Sequence, residues 1–124
     1  MTAPECTVLL CDDSPFVRRM MRDILTEGGV TRIVEACNGC EAVDCYAENR
    51  PDIVFMDIVM PEKTGIEALT EIRERYPDAR VVILSSTGTK SNLKKAIDAG
   101  ACDFLQKPVE KERVLDLLRR IATA

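Results

Sequence analysis

Five short apolar segments that alternate with helical patterns restrict the fold of this sequence more than any other feature. The segments are Thr7–Cys11, Thr31–Ala36, Ile53–Asp57, Arg80–Leu84 and Asp103–Gln106. Three of them, Thr7–Cys11, Ile53–Asp57 and Arg80–Leu84, are nearly unbroken apolar runs, which are typical of strands that are buried on both faces of a parallel sheet. Parallel strands need long crossovers, and the helical patterns between the segments supply them. The sequence therefore predicts an α/β fold, a three-layer α/β/α sandwich with a five-stranded parallel sheet and five helices.

Cap residues and apolar spacing indicate where the five helices lie. Ser14-Pro15 is a strong start signal for the first helix, and Gly28-Gly29 ends it. Asn38-Gly39 predicts a turn, so the second helix is expected from Glu41 to Glu48, and the fifth from about Glu110 to Ala122. The apolar positions that we expect to face the core are Val17, Met20, Met21, Ile24, Leu25, Val43, Tyr46, Ala47, Ile66, Leu69, Ile72, Leu93, Ala96, Ile97, Val114, Leu117, Leu118 and Ile121.

The length of 124 residues and the net charge of -4 limit the classes of protein that the sequence fits. This length suits one ordinary domain, so we expect residues 1–124 to form a single domain. A negative net charge argues against a nucleic-acid or anionic-membrane surface, because both bind basic patches. The N-terminus lacks signal-peptide character, and no apolar run approaches the ~18 residues of a spanning helix. We expect a monomer in the cytoplasm that binds neither nucleic acid nor membrane.

Six cysteines and the absence of histidine limit the chemistry. The cysteines are scattered over strand, loop and helix signals in a chain with ample core, so we expect reduced, mostly buried thiols. Cys37 and Cys40 have the spacing of a redox or zinc motif, but the second ligand pair of such a site is missing. Without histidine, Ser-His-Asp and Cys-His catalysis are excluded, and any phosphohistidine must come from another protein.

Polar residues follow the buried segments at the point where each strand ends. They are Asp12, Asp13, Asp57, Ser85 and Lys107. In a parallel sheet these strand ends share one edge, so we expect the side chains to converge there. Three carboxylates at close range repel one another, and a hard divalent cation with oxygen ligands allows them all to stay ionised. The sequence therefore predicts a Mg²⁺ site at this edge of the sheet.

A metal and an amine at this edge suit a phosphoryl group. With Mg²⁺ and Lys107 offsetting the charge, Asp57 can attack phosphorus in line and become an acyl phosphate. Ser85 is placed to hydrogen-bond a phosphoryl oxygen. Taken singly, each residue also fits an ordinary role, such as a helix N-cap for Asp12 or Asp13. Incidental roles for all of them at successive strand ends are the weaker interpretation.

In order and spacing, these residues resemble the receiver domain of two-component response regulators. The matching residues are Asp12-Asp13, Asp57, Met60-Pro61, Gly65, Ser85, Phe104 and Lys107-Pro108. The resemblance covers the whole chain and is to the stand-alone, CheY-type receivers of chemotaxis. It implies a flavodoxin-like sheet with strand order 2-1-3-4-5 and a single receiver domain over residues 1–124.

Family resemblance implies a role for each site residue. Asp57 is the phosphoacceptor, which takes its phosphoryl group from a phosphohistidine of a sensor histidine kinase. Lys107 and Ser85 are the catalytic residues that contact the phosphoryl group. The ligands of Mg²⁺, or of Mn²⁺ in its place, are Asp12 through water, Asp13, Asp57 and the backbone carbonyl of Val59.

The resemblance also implies a switch and not a general enzyme, because the domain catalyses only its own phosphorylation and dephosphorylation. Phosphoryl on Asp57 draws the Ser85 hydroxyl toward it, and Phe104 swings into the vacated space. This reshapes the surface of the fourth helix, fifth strand and fifth helix. An output protein such as a flagellar motor switch component binds there, and a phosphatase is a further partner. The implied output surface carries Lys90, Lys94, Lys95 and Phe104.

Three residues depart from the commonest family pattern. Val59 and Thr87 flank the path of the attacking water, which leaves the lifetime of the phosphorylated form open. Val109 replaces the aromatic residue that often follows Lys107-Pro108. The family implies that the Lys107–Pro108 peptide bond is cis.

Three alternative functions stay open. A phosphorelay intermediate is the alternative to a role in chemotaxis. The others are an unphosphorylated binding module and a Mg²⁺-dependent phosphohydrolase with an Asp nucleophile, although the Asp-x-Asp of haloacid-dehalogenase enzymes is missing.

Overall fold

The structure, a computed structural model, describes residues 6–86 and 90–122 of the chain. Thr87 and the side chains of Lys90 and Ile121, to which sequence analysis assigned roles, lie outside the described residues. The elements are β1 Thr7–Cys11, α1 Pro15–Glu27, β2 Arg32–Ala36, α2 Gly39–Asn49, β3 Ile53–Asp57, α3 Gly65–Arg75, β4 Val81–Ser85, α4 Lys90–Asp98, β5 Asp103–Gln106 and α5 Lys111–Ala122.

The strands form one five-stranded sheet in the order β2-β1-β3-β4-β5, and every neighbouring pair is parallel. The predicted α/β/α sandwich and the implied strand order are confirmed. β3 lies at the centre, where Phe55 is opposite Leu10 of β1 on one side and Val82 of β4 on the other. The carboxyl ends of these strands therefore meet at one edge of the sheet, which is where open α/β sheets bind ligands.

Two apolar cores cover the two faces of the sheet. In β3, Val54 and Met56 face the core that includes α2 and α3, whereas Ile53 and Phe55 face the core formed with α1 and α5. All four side chains are fully buried. Burial on both faces explains why β3 is a continuous apolar run in the sequence and not an alternating one.

Side-chain caps fix the starts of α2 and α3. Asn38 Oδ1 accepts a hydrogen bond from the Glu41 backbone N–H at 2.8 Å, so α2 begins at Gly39, earlier than the predicted Glu41. Thr64 and Glu67 form a reciprocal capping box at the start of α3. None of the helices in the described ranges combines the length and the apolar character needed to span a bilayer.

Three apolar helix positions that were predicted to face the core lie at the surface instead. Tyr46 turns inward and leaves its neighbour Ala47 on the exposed side of α2. In α4, Leu93 is 37% exposed and Ile97 is 57% exposed. The helix meets the core through Ala96, which is the buried one among its described side chains. Apolar spacing identified the helix correctly but overestimated how much of it the sheet covers.

All six cysteines lie in the described ranges, and all of them are free thiols, as predicted. The prediction that most of them are buried is wrong. Cys37 and Cys40 lie at the start of α2 and Cys102 lies before β5, where the chain runs over the surface. Cys6 and Cys11 are buried, Cys45 is half-buried, and Cys37, Cys40 and Cys102 are exposed.

Candidate functional site

The strand ends bring the predicted polar residues together at one edge of the sheet. Asp12 follows β1, Asp57 ends β3, Ser85 ends β4 and Lys107 follows β5. One carboxylate oxygen from each of Asp12, Asp13 and Asp57 lies within 4.8 Å of the others. Among the described residues this is the group of acidic, cysteine or histidine side chains that is compact enough to hold a metal ion.

Asp12 is fixed on both sides of its carboxylate. Oδ1 accepts a hydrogen bond from the backbone N–H of Ser14 at 2.9 Å, and Oδ2 accepts one from Lys107 Nζ at 2.8 Å. Its own backbone N–H donates to the carbonyl of Ala36 at 3.1 Å. Asp12 is buried, whereas its neighbour Asp13 is exposed. Asp13 is therefore the more open ligand, and Asp12 is already committed to protein donors.

Lys107 lies between two of the carboxylates. Its Nζ is 2.8 Å from Asp12 Oδ2 and 3.3 Å from Asp57 Oδ2. The backbone N–H of Lys107 donates to the carbonyl of Ser85 at 2.7 Å, and the peptide bond to Pro108 is cis, as the family resemblance implied. Burial lowers the pKa of Lys107, but the hydrogen bond to Asp12 and the charge of Asp57 outweigh it and raise the pKa above its usual value. The amine therefore stays protonated.

Asp57 is 6% exposed at the end of the central strand. Its pKa is raised, first because burial disfavours the carboxylate and then because Asp12 repels it; the charge of Lys107 opposes this shift. Three carboxylates thus face one ammonium, which leaves an excess of negative charge. Oxygen ligands with such a charge suit a hard divalent cation such as Mg²⁺ or Mn²⁺.

The loop after Asp57 is packed tightly against the strand. The backbone N–H of Ile58 donates to the Leu84 carbonyl at 3.2 Å, and that of Gly65 donates to the Ile58 carbonyl at 2.8 Å. A Cβ atom at Gly65 would lie 2.0 Å from the Asp57 carbonyl oxygen, so only glycine fits. Val59 lies on the rim of the site with its side chain 69% exposed. Sequence analysis included Gly65 only among the residues that match the family pattern and missed this contact.

A second network behind the acidic cluster was also missed. Sequence analysis assigned no role to the arginines of α1, and Arg19 and Arg22 are exposed. Arg18, however, is half-buried, donates Nη1–H to the Asp12 carbonyl and pairs with Glu35 of β2 at 2.8 Å. The position of Arg18 one turn after the Ser14 cap was the available signal, because that position lies beside the end of β1.

The two residues assigned to the switch occupy neighbouring strands. Ser85 is buried at the end of β4. Phe104 of β5 is opposite Ile83 and packs, half-buried, against the core that includes α2 and α3. Lys94 and Lys95 are exposed on α4, and Lys94 pairs with Asp98 at 3.3 Å. A partly buried ring beside an exposed helix is compatible with a rotation of that ring.

Comparison with known proteins gives the same answer at the level of the family. The family model of the response regulator receiver domain matches residues 8–119 of this sequence. The chemotaxis protein CheY of Thermotoga maritima is 44% identical over 115 residues, which cover 93% of this chain and 96% of that protein. CheY of Halobacterium salinarum is 45% identical over 117 residues, which cover 94% of this chain and 97% of that protein.

A solved structure extends the similarity to three dimensions. The crystal structure of the CheX–CheY–BeF3–Mg²⁺ complex from Borrelia burgdorferi has a TM-score of 0.88 at 35% identity, with 94% of this chain and 88% of that chain covered. The family match begins in β1 and ends in α5, so it includes every strand that supplies a residue to the acidic edge. The chain therefore belongs to the response regulator receiver domain family and is a CheY-like member of two-component signalling systems.

Proposed function

We propose that Asp57 accepts a phosphoryl group from a phosphohistidine of a sensor histidine kinase. The observation that carries this proposal is the position of Asp57, which is nearly buried, 3.3 Å from Lys107 Nζ and grouped with two further carboxylates. A buried aspartate beside an amine and a cation site has what a carboxylate nucleophile needs at phosphorus. The domain is a signalling switch and not a classical enzyme, and its own phosphorylation and dephosphorylation are the reactions that it catalyses.

The donor set of the site fits Mg²⁺. Asp13, Asp57 and the backbone carbonyl of Val59 would hold the ion directly, and Asp12 would act through water because protein donors already occupy both of its oxygens. Mn²⁺ would serve in the same place. When bound, the ion supplies charge neutralisation for the incoming phosphoryl group. The Borrelia relative was crystallised with BeF3 and Mg²⁺, which supports this assignment.

The transfer reaction uses three side chains. An Oδ atom of Asp57 forms a bond to phosphorus while the bond from phosphorus to the donor imidazole nitrogen breaks, and the electron pair of that bond stays on the nitrogen. Lys107 Nζ, already between two carboxylates, donates to a phosphoryl oxygen, and the Ser85 hydroxyl donates to another. Hydrolysis resets the acceptor by attack of water on phosphorus, along a path beside Val59 on the rim of the site.

The signal then passes to a partner protein. The Ser85 hydroxyl moves to the phosphoryl group, Phe104 turns inward, and the surface of α4, β5 and α5 binds an output protein. A flagellar motor switch component is the output that we propose, because the relatives in Thermotoga and Halobacterium are chemotaxis proteins. A phosphatase is the further partner, and the Borrelia relative was crystallised in complex with CheX. A monomer, a single domain over residues 1–124 and a cytoplasmic location are parts of the same proposal.

Intact mass spectrometry tests the acceptor. Wild type, Asp57→Ala and Asp57→Asn are incubated with Mg²⁺ and acetyl phosphate, and Asp44→Asn on the exposed side of α2 is the matched carboxylate control. We expect a metal-dependent phosphoryl adduct, labile to hydroxylamine, in wild type and Asp44→Asn only. An adduct that persists in both Asp57 variants would overturn the assignment of the acceptor.

The fate of the phosphoryl group separates the remaining alternatives. Passage from Asp57 to a second histidine-bearing protein would favour the phosphorelay intermediate over the motor switch. Turnover of a small phosphate ester that survives Asp57→Ala would favour the phosphohydrolase. Absence of both an adduct and Mg²⁺ binding in wild type would favour the unphosphorylated binding module.

A further inference from the structure

The ion pair between Arg18 and Glu35 lies beside the acidic cluster and connects β2 to the loop that follows β1. Arg18 of α1 donates Nε–H to Glu35 Oε1 at 2.8 Å and Nη1–H to the backbone carbonyl of Asp12. The Arg18 side chain is 18% exposed; its bond to the Asp12 carbonyl is partly buried, and its bond to Glu35 is exposed. The planar guanidinium thus bridges the end of β1 and the neighbouring strand.

The atom that Arg18 holds belongs to the peptide between Asp12 and Asp13. Every other polar atom of Asp12 already has a protein partner, on its backbone N–H and on both carboxylate oxygens. Asp13 has an exposed side chain, so its direction depends on the plane of the peptide that precedes it. Fixing the Asp12 carbonyl therefore fixes the plane of the Asp12–Asp13 peptide, and with it the position of the Asp13 Cα atom from which the carboxylate extends.

We propose that Arg18 is a positioning residue for the divalent-cation site, and that Glu35 holds its guanidinium in place. The inference rests on the proposed function, since it concerns the same site. Groups that orient metal ligands from behind typically change metal affinity by about 10- to 100-fold when they are removed. A lysine at this position has no planar fork and cannot hold both acceptors in the same geometry.

Arg22 provides a control within the same network. Its Nε donates to Glu35 Oε2 at 2.9 Å, and no hydrogen bond or ion pair between Arg22 and Asp12 occurs in the described part of the chain. Arg22→Ala removes one positive charge, as Arg18→Ala does, and two hydrogen bonds to Glu35 where Arg18→Ala removes one, but it spares the Asp12 carbonyl. Loss of a nearby positive charge alone would strengthen cation binding, which is the opposite sign from loss of positioning.

The test is the affinity for Mn²⁺, measured by electron paramagnetic resonance of the free ion on wild type, Arg18→Ala, Arg18→Lys, Arg22→Ala and Glu35→Gln. We expect about 10-fold weaker binding for Arg18→Ala, an intermediate value for Arg18→Lys and Glu35→Gln, and a change within about 2-fold for Arg22→Ala. The denaturation midpoint without metal is measured for each variant. If Arg18→Ala and Arg22→Ala lower this midpoint by similar amounts, a difference in their Mn²⁺ affinity reports positioning and not general stability.

Equal or tighter Mn²⁺ binding by Arg18→Ala would overturn the inference. If Arg18→Ala does not fold, the Mn²⁺ affinities of Arg18→Lys and Glu35→Gln test the inference instead. Wild-type affinity in both variants would overturn it. Failure of the proposed function has a different signature, because wild type itself would then bind no Mn²⁺, or Asp13→Asn and Asp57→Asn would bind it as wild type does. Those two variants are therefore measured in the same series.

Discussion

The helices that follow β3 and β4 are held to the protein in different ways. α3 buries Leu69 and Ile72 completely against the sheet. α4 leaves Leu93 37% exposed and Ile97 57% exposed, and it meets the core through Ala96. Both helices are amphipathic by sequence, so the difference arises from how much of each helix the sheet covers. α3, the helix that follows Asp57, is anchored by large buried side chains, whereas among its described side chains α4 is anchored by the small one of Ala96.

This contrast suits the two tasks of a phosphorylation switch. Transfer to Asp57 needs a carboxylate, an amine and a cation site in fixed positions, since small displacements slow the chemistry strongly. A conformational change instead needs an element that can move at a small cost in free energy, and elements with few buried apolar contacts are of that kind. α4 contacts both α3 and β5, the strand that carries Phe104.

Truncating one leucine in each helix tests the contrast most strongly. Leu69→Ala should lower the free energy of unfolding by about 3 kcal/mol, because it empties a fully buried site. Leu93→Ala should cost less than about 1 kcal/mol, since that side chain is already partly in water. Urea denaturation of the two variants measures both values. Equal losses would mean that α4 is anchored as firmly as α3.

Gly65 tests how rigidly the acceptor loop is held. Gly65→Ala places a Cβ atom 2.0 Å from the Asp57 carbonyl oxygen, so two backbone segments must move apart. We expect a loss of about 2 kcal/mol in unfolding free energy and slower phosphorylation by acetyl phosphate. Gly28→Ala is the control, because its Cβ would meet the movable end of Leu115 at 2.7 Å, and it should cost less than about 1 kcal/mol. If Gly65→Ala has the unfolding free energy and the phosphorylation rate of wild type, the loop after Asp57 accommodates the added methyl group at little cost.

Apolar periodicity was sufficient to predict the fold. β1, β3 and β4 are short, continuous apolar runs because helices cover both faces of the sheet, whereas the edge strands β2 and β5 include polar residues; the three apolar runs predict the α/β/α layers. The polar residues at the strand ends were predictable for the same reason, because parallel topology alone brings Asp12, Asp57 and Lys107 to one edge. The strand order came from family resemblance, since local patterns do not specify which strands are neighbours.

Contacts that depend on exact distances between elements could not be predicted. Leu93 and Ile97 have core-like spacing, but their exposure depends on where α4 lies relative to the edge of the sheet. The Gly65 contact with Asp57 and the bridge from Arg18 to Asp12 each involve a backbone carbonyl, which has no signature in the sequence. Side-chain type predicts which groups are available, and tertiary geometry decides which backbone atoms they meet.

The smallest expected effect concerns the ion pairs between Glu35 of β2 and Arg18 and Arg22 of α1. Burial alone would raise the pKa of Glu35, but hydrogen bonds from Arg22 and Arg18 outweigh it and hold the pKa below its usual value. A lowered pKa in the folded state means that the pairs stabilise the protein above the unfolded pKa and lose this contribution as the pH falls through the folded pKa. Wild type should therefore exceed Glu35→Gln in stability at pH 7, and the difference should vanish at acidic pH.

Urea midpoints of wild type and Glu35→Gln between pH 7 and pH 3 measure this difference, which we expect to stay below about 1 kcal/mol because the pair is partly exposed. Glu74→Gln on the exposed side of α3 is the control for the loss of a carboxylate. Added salt should reduce the difference at pH 7, since it screens partly exposed charges. A difference that does not change with pH would mean that the charge of Glu35 contributes no net stability through these ion pairs.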